Sequence, residues 1–121
     1  SGEIRLVVER KPGTQSAMER AIHYFEKLKM HNTVLRNGVL IYLAVDAHQF
    51  AIIGDQGINE RVETDFWQCT KDKMLEHFKE DNIAAGLIAG IQNAGERLQL
   101  FYPKHEDDIN ELPDDIYYGN N

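Results

Sequence analysis

The chain predicts an α/β fold: a three-layer α/β/α sandwich around a central mixed β-sheet. Three observations carry that expectation. Residues 39–45, Val-Leu-Ile-Tyr-Leu-Ala-Val, are apolar at every position. A strand sustains such a run only where both of its faces are covered. A second β-branched run, 50–53, follows after the polar tetrapeptide Asp46-Ala47-His48-Gln49, which is the pattern of a β-hairpin. Segments of helical apolar spacing lie on either side of this hairpin.

An antiparallel hairpin brings its outer ends together. Arg36-Asn37-Gly38 should therefore lie beside Gly54-Asp55-Gln56-Gly57, so that two glycine-bearing polar loops meet at one sheet edge. That edge is the expected functional site.

In chain order, Glu3–Glu9 reads as a strand ended by Lys11-Pro12-Gly13. Ser16 and Glu19 form a capping box, in which the hydroxyl and the carboxylate each satisfy an orphan backbone N–H. The helix it starts runs to about Lys29. Its inward stripe is Met18, Ala21, Ile22, Phe25 and Leu28, with His23 and Tyr24 flanking it. His23 reads as a surface or half-buried helix residue, because no second His or Cys follows at i+4. Residues 30–35 link this helix to the hairpin. A strand–helix–strand connection of that length is a right-handed crossover between parallel strands. The N-terminal strand ends then share an edge, which places Glu3 with Asn37 and Asp55.

After Ile58 the pattern turns helical. Residues 59–63 read as a short first turn. Thr64 or Asp65 then caps a helix to about Glu80, with Phe66, Trp67, Thr70, Met74, Leu75 and Phe78 inward. Trp67 reads as core. Cys69 has no His or CxxC partner and reads as an ordinary thiol. Asp81-Asn82 caps a last helix, 83 to about 100, with Ile83, Leu87, Ile91, Ala94 and Leu98 inward. Gly86 and Gly90 share one side of it, where the sheet or the neighbouring helix should approach closely. Pro103 ends the regular part, giving one domain over 1–103.

The remaining segment, 104–121, carries six acids and one lysine, −5 of the chain's net −7. Such a run reads as a solvated tail, with a cation-binding or docking segment as the alternative. Its Ile109, Leu112, Ile116, Tyr117 and Tyr118 point to partial packing on the body. The net charge and the absence of a basic stripe argue against nucleic acid as a partner. No apolar run approaches the roughly 20 residues that span a bilayer. The chain as given shows no signal peptide, so a cytoplasmic location is expected. A periplasmic or extracytoplasmic one follows if a further N-terminal segment precedes Ser1.

The residues brought to the expected edge are Glu3, Asn37, Asp55, Asn59 and Glu60. Oxygen ligands of this kind suit hard cations, with calcium taking six to eight of them in a flexible cage. The alternative is that Asp55 and Asn59 only cap the following helix.

The stretches RNGVLIYLA and FAIIGDQGI, followed by a helix near Phe66-Trp67, resemble the TPM domain family, and the likeness extends from SGEI at the start to about Pro103. Small stand-alone bacterial TPM proteins are the most similar group. The resemblance implies an α/β/α sandwich and an edge cluster of acids and amides that binds calcium or magnesium, with no organic cofactor. By it, Glu3, Asp55, Asn59 and Glu60 are the candidate metal ligands, and Arg36 and Asn37 the other binding residues. It implies an accessory or interaction role with a protein partner, and as the alternative a metal-assisted acid phosphatase. Two positions depart from the family pattern. Arg36-Asn37-Gly38 stands where many members have Asp-Asn-Gly, so a carboxylate gives way to a cation that suits a phosphate contact. The glutamate of the common Gly-Tyr-Gly-Leu-Glu stretch falls at Asn59, with Glu60 next to it. No phosphatase-type Cys loop, His nucleophile motif or Walker-type phosphate loop is present.

Overall fold

The computed structural model describes residues 3–63, 65–101 and 117–119. Its elements in order are β1 (Glu3–Glu9), α1 (Ala17–Lys27), β2 (Gly38–Ala44), β3 (Gln49–Gly54), α2 (Gln56–Asn59), α3 (Gln68–Phe78), α4 (Ile83–Leu98) and β4 (Tyr117–Tyr118). The sheet runs β3-β2-β1-β4. β1 is parallel to β2, with Glu3 opposite Gly38 and Glu9 opposite Ala44. β2 is antiparallel to β3, with Val39 opposite Gly54. The crossover and the hairpin thus produce the mixed sheet that the sequence predicts.

Side chains of a strand alternate between faces, and here each face has its own helical layer. Leu40, Tyr42 and Ala44 pack with Val7 under α1, against Ala21 and Phe25. Val39, Ile41 and Leu43 pack with Leu6 and Ile52 against Met74, Leu87 and Leu98 of α3 and α4. Every residue of β2 is therefore buried. Each large side chain in this central strand contributes about 1.5–3 kcal/mol through removal from water.

α1 opens with the expected capping box: Glu19 N–H donates to Ser16 Oγ, and Ser16 N–H donates to the Glu19 carboxylate. Its inward face differs from the expectation. Tyr24 is buried at 3% exposure, whereas Met18 and Ile22 are 41% and 42% exposed. Tyr24 turns inward because its hydroxyl meets Glu9, and Met18 and Ile22 lie where the helix overhangs the outer strand β3.

The short helix α2 starts at Gln56, earlier than the turn expected over 59–63, because Asp55 is its N-cap. α3 starts at Gln68; Thr64 lies outside the described residues, and Trp67 occupies the N-cap position without a side-chain bond. Phe66 and Trp67 are core as expected, but Leu75 is exposed. Asn82 caps α4 by accepting the Ala85 N–H. The glycines of α4 meet the neighbouring helix. A β-carbon on Gly90 would lie 2.7 Å from Met74 Sδ, and one on Gly86 would strike the Phe78 ring.

Of the acidic tail, Tyr117–Tyr118 adds a short parallel strand to β1, opposite Val7 and Val8. The expectations for Ile109, Leu112, Ile116 and the six acids fall outside the described residues. Among the described residues no helix is long and apolar enough to cross a membrane.

Candidate functional site

The two glycine-bearing loops meet at the sheet edge, and backbone bonds lock them together. Asp55 N–H donates to Gly38 O at 2.8 Å, and Gly57 N–H donates to Arg36 O at 2.8 Å. Arg36 has φ +52°, a left-handed conformation that turns the chain into β2. Position 57 has no room for a side chain, because a β-carbon there would lie 2.6 Å from Arg36 O and closer still to Leu35 O.

Asp55 is the centre of this edge. Its Oδ1 accepts the Gln56 N–H at 2.7 Å and so caps α2. Arg36 grips the same carboxylate with two bonds, Nε to Oδ2 at 2.9 Å and Nη2 to Oδ1 at 3.0 Å. Paired guanidinium–carboxylate bonds of this kind are strong and directional. The Asp55 side chain is 5% exposed and that of Arg36 46%. Burial pushes the Asp55 carboxyl up, but the Arg36 guanidinium and the Gln56 N–H outweigh it and hold the group below the usual carboxylate range. The Asp55 carboxylate in turn raises the already high pKa of Arg36.

Asn59 and Glu60 line the same open groove of about 660 Å³, with Ile22, Phe25 and Ile53 forming its apolar wall. Glu60 Oε1 accepts from Gln56 Nε2 at 3.0 Å. Asn59 is the last residue of α2 and caps nothing, so only Asp55 fits the capping alternative. His31 lines the groove as well.

Glu3 and Asn37 are not among the residues that line this groove. Asn37 is wholly buried, and its N–H donates to Thr33 Oγ1 at 3.2 Å. Glu3 is buried at 2% exposure on β1, opposite Gly38, with β2 between it and Asp55. Two strand spacings separate their main chains by about 10 Å. Among the described residues no cluster of three or more His, Cys, Asp or Glu side chains is arranged to hold a metal ion. The oxygen chemistry of Asp55, Asn59 and Glu60 fits a hard cation. The position beside Asp55 that such an ion would take is held by the Arg36 guanidinium, a cation supplied by the chain itself.

A second polar cluster lies at the far end of β1. The Glu9 carboxylate accepts from Arg20 Nε at 3.1 Å, Arg20 Nη2 at 2.6 Å, Tyr42 OH at 2.6 Å and Tyr24 OH. Burial pushes the Glu9 carboxyl up, but these donors overcome it and bring the group down to about 2. Burial and the Glu9 charge push Tyr24 up to about 12. Gly119 covers the cluster, where a β-carbon would lie 2.6 Å from Tyr24 OH. With each of its oxygens held by two donors, the carboxylate ties α1 to β1 and β2. The signal for it in the sequence was Arg20 and Tyr24 at i, i+4 with Glu9 ending a strand.

A family model for the TPM domain matches residues 1–97. Among solved structures, the NMR structure of the BA42 protein from the psychrophilic bacterium Bizionia argentinensis sp. nov. superposes with a TM-score of 0.90. It is 45% identical over 98% of this chain and 81% of that one. No curated protein matches the chain. With one family model spanning most of its length and a relative of this identity over nearly all of it, the chain belongs to the TPM domain family.

Proposed function

We propose that the chain is an accessory or interaction domain that binds a divalent cation, calcium or magnesium, at Asp55 in exchange with Arg36. The observation that supports this reading is the Arg36–Asp55 pair: a buried carboxylate kept ionised by a cationic side chain that is itself nearly half exposed. Once the guanidinium swings into solvent, the Asp55 oxygens face the groove that Asn59 and Glu60 also line. Calcium would take those side chains, with waters completing its six to eight ligands. Few protein oxygens and a built-in competitor make this a weak site, selective for conditions rich in the ion.

The acid phosphatase reading draws less support. Arg36, its phosphate clamp, is paired with Asp55 in the fold.

Thermal melts of the metal-stripped protein test the reading. Millimolar calcium should raise the midpoint of wild type and leave Asp55→Asn unmoved. No shift in wild type, or an equal shift in both, would sink it. Turnover of a generic phosphomonoester that is lost in Asp55→Asn would favour the enzyme instead.

A further inference from the structure

β3 is the last strand of the sheet on its side, and among the described residues no strand pairs with its outer edge. The Asp55 N–H bond to Gly38 O sets the phase of the β2–β3 ladder. Alternation along an antiparallel pair then turns the N–H and C=O groups of Phe50, Ile52 and Gly54 outward. Such edges are ordinarily guarded by charge, proline, a bulge or brevity. β3 reads Gln-Phe-Ala-Ile-Ile-Gly, six residues with no charge and no proline.

α1 runs alongside this edge. Met18 lines one open groove with Gln49 and Phe50, and Ile22 lines the next with Ile53 and Gly54. These are the two members of the α1 apolar stripe that stay exposed. On the other face of the sheet, Phe50 borders an apolar crevice of about 180 Å³ with Leu75, Phe78 and Ile83. A strand laid on β3 would find backbone partners along its length and apolar surface for alternate side chains on both faces. That is the geometry of β-strand addition.

We infer that the seam between β3 and α1 binds an extended segment of a partner protein, apolar at alternate positions and basic. The charge selects this occupant. Glu19 lines one end of the seam and Glu26 and Glu60 the other, where Asp55 is already paired with Arg36. A second copy fits less well. Two-fold pairing of β3 with itself would lay two α1 helices antiparallel on one face, setting Glu19 and Glu26 of each against those of the other. The inference goes beyond the cation reading and does not depend on it.

The test is an amide-resolved NMR titration in EDTA, which keeps divalent ions out. The probe is a short capped peptide alternating valine and threonine, with a lysine at each end. Shifts and slowed hydrogen exchange should concentrate at Phe50, Ile52 and Gly54, with Met18 and Ile22 also moving. Ile22→Lys should weaken binding by about tenfold or more, as loss of an interface anchor does. A glutamate-ended peptide should bind correspondingly less. Ile88→Lys, on the exposed side of α4, should bind like wild type. No response at millimolar peptide, or a response away from β3, would overturn the inference. So would β3 shifts that follow protein concentration without peptide, because these would assign the edge to a second copy. Failure here leaves the calcium-dependent melts of wild type and Asp55→Asn unaffected, so the two readings fail separately.

Discussion

Glu9 is a carboxylate at 3% exposure that stays ionised because Arg20, Tyr24 and Tyr42 all donate to it. Its pKa falls from 4.5 to about 2 on folding. A depressed carboxylate stabilises the fold fully above its unfolded pKa and loses that contribution as pH drops towards the folded one. Acid unfolding should therefore begin near pH 4.5 and steepen towards pH 2, with about 3 kcal/mol at stake. Glu9→Gln should cost a similar amount at neutral pH and flatten the acid limb, as urea melts at several pH values would reveal. An unchanged acid limb in the variant would contradict this assignment. At the opposite end of the sheet, Gly57→Ala forces a β-carbon against the carbonyls of Leu35 and Arg36. Backbone cannot yield as a side chain does, so a loss of about 1–3 kcal/mol is expected in denaturant melts. A neutral result would mean that the two loops are not locked.

The elements show what the sequence carried. β2 was legible because an uninterrupted apolar run has few homes outside a doubly covered strand, and all seven of its residues are buried. The α1 start was legible because a capping box is local chemistry. The inward face of α1 was only partly so. Periodicity places Met18 and Ile22 with the core, but the sheet ends at β3 and leaves them overhanging its edge. Periodicity also sets Tyr24 on the flank, whereas a carboxylate from a distant strand draws it in. The loops of the candidate site followed from hairpin geometry. The Arg36 grip on Asp55 did not, since it depends on side-chain rotamers and on the left-handed turn at Arg36. Glu3 was rightly placed at the same edge, but parallel pairing to β2 holds it two strands from Asp55. Within the helical layer, Gly86→Ala should be destabilising although alanine favours helix by about 1 kcal/mol, because the added methyl meets the Phe78 ring. A melt in which this variant gains stability would show that the ring moves aside freely.

For the whole molecule, the sheet order sets a gradient of stability. β2 lies between β1 and β3 and under two helical layers, whereas β3 has a bare outer side among the described residues. Amides in β2 should exchange only with global unfolding, while the outward amides of Phe50, Ile52 and Gly54 should exchange through smaller openings. The reverse order would contradict the topology. Membership of the TPM domain family accounts for this architecture. The most direct measurement is an amide-resolved calcium titration of the metal-stripped wild type, Arg36→Gln and Asp55→Asn. The shifts of wild type should cluster over residues 36–38 and 54–60. Removing the competing guanidinium should tighten binding by about tenfold, equivalent to about 1.4 kcal/mol, and Asp55→Asn should abolish it. If Arg36→Gln binds no more tightly than wild type, or if nothing near Asp55 moves at millimolar calcium, the exchange of Arg36 for a cation is wrong.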